Sequence, residues 1–187
     1  MTDVGALRFE LPNGTHLRPL EATDAEPLAR LVDENREYLG RWLPWVAHAH
    51  GPEHQLEFIR GTRRQLAEDD GFVCAIVDGG AVVGTIGLHR IDRANSWTSI
   101  GYWLDADRQG RGTMTHAARA VTQYAFQVLA LNRVEIRAAV GNARSAAIPR
   151  RLGFVQDGVL RQAERDGDGF RDVVVYSMLA SEWPRAG

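Results

Sequence analysis

The stretch richest in possible chemistry is Arg108-Gln109-Gly110-Arg111-Gly112-Thr113. Two glycines one residue apart let successive backbone N–H groups turn toward a common point. A helix starting just after them adds the positive end of its dipole. Such a loop is a cradle for an anion, and Arg108 and Arg111 offer neutralising charge. The spacing excludes the commonest phosphate loops. A Walker loop needs G-x-x-x-x-G-K-[ST], and this chain contains no lysine. A dinucleotide fingerprint needs a third glycine, where Thr115 stands. A pyrophosphate held by backbone amides remains, with no metal-binding Ser/Thr–Lys pair beside it.

The elements around the loop are those that would position it. Ser99–Leu104 reads as a strand, with Ile100, Trp103 and Leu104 giving it pleated-sheet character. From about Met114 a helix is predicted, with Ala117, Ala118, Val121, Ala125 and Val128 on one stripe. Upstream, Thr15–Leu20 alternates as a short strand, and Thr23-Asp24-Ala25-Glu26 has the form of a capping box. Leu28, Leu31 and Val32 then share a helical face, and residues 38–46, YLGRWLPWV, form an aromatic cluster closed by Pro44. A second helix is predicted over Pro52–Glu68, with Leu56, Ile59 and Leu66 roughly on one side. Phe72–Val77 and Ala81–Leu88 form a hairpin across Asp78-Gly79-Gly80, followed by a loop over 90–96. Downstream come a strand over Arg133–Val140 and a shorter helix opened by Asn142 and ended by Gly153. Two last strands, Val155–Arg161 and Phe170–Leu179, are joined across Asp166-Gly167-Asp168-Gly169. No repeat or linker interrupts this order, so one domain over residues 1–187 is expected.

Composition narrows the partners. Twenty-two basic residues against 24 acidic ones give a net charge of −2, which argues against direct nucleic-acid binding and a polybasic membrane anchor. No apolar run approaches the roughly 20 residues of a membrane-spanning helix. The opening MTDVGALRFE lacks the basic and apolar regions of a signal peptide. Cys74 is the single cysteine, so no intrachain disulfide can form. The expected location is the cytoplasm.

Gln109-x-x-Gly112-x-Met114 resembles the acetyl-coenzyme A loop of the GNAT N-acetyltransferases, Q/R-x-x-G-x-G/A. Met114 departs from the common form in the way the RimL-type ribosomal-protein N-acetyltransferases do. The order of elements is similar to the GNAT fold over nearly the whole chain. The likeness to RimL-type enzymes is strongest from Leu131 to Trp183, with N-x-x-S, then R-R-x-G-F, then R-Q-A-E. The resemblance implies an α/β (α+β) fold: a mixed, mostly antiparallel central sheet flanked by helices, with a splayed parallel strand pair that binds acetyl-CoA. It further implies acetyl transfer to a primary amine by direct attack in a ternary complex, no metal, and a homodimer. The acceptor would be a protein N-terminus, in the first place a ribosomal one. A small-molecule, antibiotic or aminoacyl-conjugate amine is the alternative, and a non-catalytic acetyl-CoA sensor is the rival of another class.

Residue by residue, the resemblance assigns coenzyme contacts to Tyr102, Trp103 and Leu104 on the strand, to Gln109, Gly110, Arg111, Gly112, Thr113 and Met114 in the loop, and to Asn142. It points to Glu164, the glutamate of R-Q-A-E, as the base; a solvated charge beside a turn is the plainer reading. Many GNAT enzymes carry an acidic tyrosine where this chain has Pro149, which cannot donate a proton. RimL-type enzymes use the serine of N-x-x-S, here Ser145, although both Asn142 and Ser145 would also serve as helix caps. Tyr38, Trp42 and Trp45 either line the acceptor cleft or form a core cluster. Other features read as structural. Cys74, among Val73, Ala75 and Ile76, is a small buried hydrophobe. His48, His50 and His54 lack a frame for zinc, and Phe170 spoils a calcium loop at Asp166-Gly-Asp-Gly.

Overall fold

Residues 72–77 are small or apolar at every position, and an extended chain sends alternate side chains to opposite faces. Phe72, Cys74 and Ile76 enter one core and Val73, Ala75 and Val77 another. A strand that feeds two cores must run through the middle of a sheet covered on both sides. The computed structural model describes residues 7–184, so only part of the opening MTDVGALRFE falls among the described residues.

The sheet has eight strands: β1 (Phe9–Glu10), β2 (His16–Pro19), β3 (Gly71–Asp78), β4 (Ala81–Asp92), β5 (Trp97–Leu104), β6 (Arg133–Ala139), β7 (Val155–Asp166) and β8 (Gly169–Leu179). Their spatial order is β1-β2-β3-β4-β5-β6-β8-β7. Every neighbouring pair is antiparallel except β5 with β6. The helices are α1 (Ala25–Glu34), α2 (Arg36–Gly40), α3 (Gly51–Ala67), α4 (Thr113–Gln127) and α5 (Ala143–Arg151). Leu28, Leu31 and Val32 of α1 and Ile59 of α3 pack with Val73 and Val77 on one face. Ala117, Ala118, Val121 and Ala125 of α4 close the other face over Ile86, Ile100 and Ile136. The mixed sheet with its single parallel pair is the architecture the sequence implied.

Several boundaries differ from the sequence reading. β4 runs on to Asp92 and β5 begins at Trp97, leaving a four-residue turn where a loop over 90–96 was expected. Asp92 supports this turn, accepting the Asn95 N–H at 2.9 Å and the Trp97 indole N–H at 3.1 Å. β7 extends to Asp166, so Glu164 stands on a strand and not in a loop. Val128 lies past the end of α4 and is 61% exposed, off the buried stripe. The capping box is centred on Glu21, two residues before Thr23, and α1 itself starts only at Ala25. A 3₁₀ turn over Ala22–Asp24 precedes α1, and Asp24 accepts the Glu21 N–H at 2.8 Å.

Asp24 has a second partner, which sequence spacing does not reveal. Arg18 on β2 donates to both of its oxygens at 2.7 Å, and the Asp24 side chain is only 5% exposed. Burial alone would raise the Asp24 pKa, but the Arg18 hydrogen bonds and charge, with the Glu21 N–H, outweigh it and hold the carboxyl below its usual value. A depressed folded-state pKa contributes stability above the unfolded value of about 3.9 and loses it as pH falls through the folded value. Asp24→Asn is therefore expected to cost about 1–3 kcal/mol at neutral pH. It should also flatten the loss of stability below about pH 4; thermal melts across that range check both effects.

Candidate active site

β5 and β6 pair only from Trp97/Arg133 to Ile100/Ile136. Past that point β5 stays with β4 as far as Leu104, and β6 stays with β8 as far as Ala139. Two adjacent strands held by different neighbours must leave a gap, and a cleft of ≈ 820 Å³ opens there. This is within the roughly 300–1,000 Å³ of ordinary ligand pockets. Its walls are the free stretches of β5 and β6, the loop before α4, the start of α5, and Tyr38–Leu43; Glu164 faces it from β7.

The loop before α4 turns on two glycines. Gly110 (φ +77°) and Gly112 (φ +76°) are left-handed, a conformation costly for other residues. Gly112 is the N-cap of α4, and the first-turn Thr113 is buried, its hydroxyl accepting from Asn13 at 2.9 Å. Buried Asn35 holds the root of the loop, accepting the Ala106 N–H at 2.9 Å and donating to Asp105 at 3.1 Å. Sequence reasoning missed Asn35, since nothing local marks a contact 71 residues away. Arg108 lines the cleft but spends charge on Asp78 at 3.0 Å. Arg111 is exposed, donates to the Asp107 carbonyl at 3.3 Å and is not part of the cleft wall. Gln109 spans the opening: its amide nitrogen donates to the Tyr38 hydroxyl and its oxygen accepts from Arg144 at 2.8 Å. Arg137, Arg144 and Arg151 also face the cleft, none of them singled out from sequence.

At the α5 end, the Asn142 side chain accepts the Ser145 N–H at 3.1 Å and so caps the helix. Asn142 thus fills the cap, leaving the Ser145 hydroxyl at the cleft, 3.2 Å from the Tyr102 hydroxyl. Burial pushes the Tyr102 phenol up to about 12, the Ser145 hydrogen bond opposing part of the shift and nearby Tyr176 adding to it. Tyr102 is therefore a neutral group at ordinary pH. Pro149 is buried inside α5.

Glu164 reaches the cleft because β7 is irregular. The register with β8 shifts between Leu160 and Glu164, and Gln162 adopts φ +51°. A bulge of this kind re-aims the side chains that follow it. Glu164 is half-buried, with Oε2 accepting from Arg171 Nε at 2.7 Å. The aromatic cluster divides its duties: Tyr38 and Trp42 line the cleft, whereas Trp45 packs its ring 6.3 Å from Trp103. Cys74 is fully buried and its thiol is pushed up to about 12 by that burial, so it is no nucleophile. His48, His50 and His54 are exposed, and Asp166–Gly169 closes the β7–β8 hairpin.

A family model described as an acetyltransferase (GNAT) domain matches residues 15–155. YdaF of Bacillus subtilis (strain 168), named as a candidate ribosomal N-acetyltransferase, is 39% identical over 168 residues, covering 89% of this chain and 92% of that one. Two solved structures are similar to the whole architecture. RimL, a ribosomal L7/L12 alpha-N-protein acetyltransferase in complex with coenzyme A, superposes with a TM-score of 0.85 at 25% identity, covering 88% of this chain and 93% of that one. The microcin C7 self-immunity acetyltransferase MccE, in complex with acetyl-CoA and AMP, gives 0.84 at 27% identity over 88% and 92%.

The Tyr102 environment makes a measurable difference to alkaline stability. A pKa raised in the folded state contributes stability that is present below the unfolded value of about 10 and lost as pH rises through the folded value. Tyr102→Phe is expected to show a shallower decline in melting temperature between about pH 10 and 12 than the parent.

Proposed function

The chain belongs to the acetyltransferase (GNAT) family and is an N-acetyltransferase that uses acetyl-CoA; on that premise we propose that its acceptor is the α-amine of a protein N-terminus. The observation that carries this reading is the cleft between the parted strands, with an amide cradle at one end and a half-exposed carboxylate beside Trp42 at the other. Glu164 keeps 39% of its side chain exposed, and Arg108, Arg137, Arg144 and Arg151 stand in the cleft wall, so the cleft is not a closed apolar box. RimL, with which the chain shares its fold, acts on an N-terminus by its description.

The residues present fit the coenzyme. Gly110 and Gly112 bring backbone N–H groups and the α4 N-terminus to one point, which suits a pyrophosphate. Arg144 and Arg151 supply positive charge at the same wall. The β5 stretch Gly101–Leu104, unpaired on its β6 side, offers backbone groups to an amide-containing arm. The coenzyme supplies an activated thioester carbonyl. A backbone N–H of β5 stabilises the negative charge that develops on its oxygen, usually a large contribution in acyl transfer. Glu164 receives the proton from the attacking amine, directly or through a water. Ser145 returns a proton to the departing thiolate, with Tyr102 hydrogen-bonded behind it.

The strength of the base favours an α-amine. With a pKa of about 8, an α-amine is roughly one-tenth neutral at about pH 7, whereas a lysine amine near 10.4 is neutral far less than 0.1% of the time. A carboxylate relay is adequate for the first and poor for the second.

Acetyl-CoA is expected to raise the melting temperature, by about 2.7 kcal/mol of stabilisation at a hundredfold excess over Kd, and ATP and NAD are not. A peptide with the N-terminal sequence of ribosomal protein L7/L12 should be acetylated on its α-amine. Modification of internal lysines with the free terminus left intact overturns the acceptor assignment. Glu164→Gln should lower turnover at about pH 7 by roughly 10²–10⁴-fold, with recovery nearly complete by about pH 9 for an α-amine acceptor. Ser145→Ala should lower kcat while leaving the KM for acetyl-CoA unchanged, since a proton donor to the leaving group acts in the transition state. A raised coenzyme KM with wild-type kcat would make Ser145 a binding residue.

A further inference from the structure

We propose that Arg171 is a positioning residue whose single guanidinium fixes the distance between the Glu164 carboxylate and the aromatic wall formed by Tyr38 and Trp42. The inference rests on the acceptor end of the cleft as read above, and it assigns the specificity of that end to the residue opposite Glu164 in the β7–β8 hairpin. Arg171 stands on β8 with a side chain only 11% exposed. Its Nε donates to Glu164 Oε2 at 2.7 Å, and its two terminal nitrogens donate to the carbonyls of Arg41 at 2.7 Å and Trp42 at 2.8 Å. Asp166 lies further off, at 3.8 Å.

Each partner is one that needs holding. Arg41 is the C-cap of α2, a helix of five residues. The last carbonyls of a helix have no intrahelical donor, a cation is favoured there, and one and a half turns are too short to be stable alone. Arg171 supplies both donor and charge from 129 residues away. Arg171 lies two residues past Val173, the last β8 residue paired with β6, and faces Glu164 directly across the β7–β8 hairpin. That hairpin therefore sets the place of Trp42 through Arg171. The same group takes one acceptor position on Glu164 Oε2, and the rest of the carboxylate is left to meet the acceptor amine or its water.

Only arginine can do this. Three donors diverge in one plane from a guanidinium, so a carboxylate and two separate carbonyls are satisfied together; a lysine ammonium is a point charge on a flexible stem. Moving a base relative to its substrate by about 1 Å is enough to lose roughly 10²-fold in rate.

The test compares Arg171→Met, Arg171→Lys, Glu164→Gln and the Glu164→Gln/Arg171→Met double variant, with acetyl-CoA and the L7/L12 N-terminal peptide as probes. Arg171→Met should lower kcat/KM for the peptide by about 10²-fold, through both a higher peptide KM and a lower kcat. Arg171→Lys should recover little of this. The KM for acetyl-CoA and the acetyl-CoA-induced rise in melting temperature should stay as in the parent. The double variant should have a kcat no lower than Glu164→Gln alone, because the two residues act as one unit. Amide hydrogen exchange, which needs no acceptor, should quicken by about tenfold or more over residues 38–43 in Arg171→Met and remain unchanged over 108–116. Additive losses in the double variant, loss of acetyl-CoA stabilisation, full recovery by lysine, or unchanged exchange over 38–43 would each overturn the proposal. A parent enzyme that leaves the peptide unacetylated refutes the acceptor reading instead, and the exchange result then decides on Arg171 by itself.

Discussion

The parting of β5 and β6 after Ile100 and Ile136 is the constraint on which the rest of this structure depends. A backbone N–H or C=O that is hidden from water without a partner is costly, so two neighbouring strands separate only if each is firmly held elsewhere. β5 is held by β4, and the approach there is very close. A Cβ added at Gly84 would lie 2.3 Å from the Trp103 carbonyl oxygen, so only glycine permits that contact. β6 is held by β8 over its full length, from Arg133/Leu179 to Ala139/Val173. Each half of the sheet is thus held by its own neighbours, and the gap between them leaves strand backbone within reach of a ligand.

Charge around that gap is arranged in pairs. Glu135, 11% exposed at its side chain, holds Arg133 with one oxygen and Arg137 with the other, and Arg133 continues to Asp157 at 2.6 Å. Arg137 at the cleft is thereby fixed before any ligand arrives. Asp157 is drawn below its usual pKa although its partial burial acts the other way; the hydrogen bonds from Arg133 and Ser177 prevail. Opposite, Arg171 and Glu164 form the other pair. Arg144 meets the side-chain oxygen of Gln109 instead of a carboxylate, which leaves its charge available where the proposed phosphates would lie.

The aromatic segment between α2 and α3 has little regular structure of its own, and arginines from outside and within supply what it lacks. Arg171 takes the carbonyls of Arg41 and Trp42. Arg36 takes those of Val46, at 2.5 Å, and Ala49, at 2.7 Å. Gln109 adds a link from the coenzyme loop to Tyr38. The wall that would face the acceptor is therefore fastened to both the sheet and the loop, and its shape is coupled to each.

Local features were legible in the order of residues. The short run of small and apolar residues Phe72–Val77 specified a strand, and an extended chain sends its side chains alternately to two faces. The glycine pair 110/112 followed by the Ala117–Ala125 stripe specified a tight turn into a helix, because left-handed residues and amphipathic spacing are written in consecutive letters. Asn142 announced its own cap three residues ahead. Only the tertiary structure decided how these parts meet. The register that ends the β5–β6 pairing at Ile100 is set by neighbours that are distant in the chain. Glu164 reads as the base only through the resemblance and as a charge beside a turn on its own letters; a β7 that runs on to Asp166 with a register shift around Gln162 is what brings it to the cleft. Asn35, Arg137, Arg144 and Arg171 carry no signature, because an exposed arginine and a guanidinium bridging two segments about 130 residues apart are the same letter. Periodicity and turn chemistry are short-range and legible; hydrogen bonds between distant segments depend on where the sheet places their ends, and that is fixed only when the whole sheet has formed.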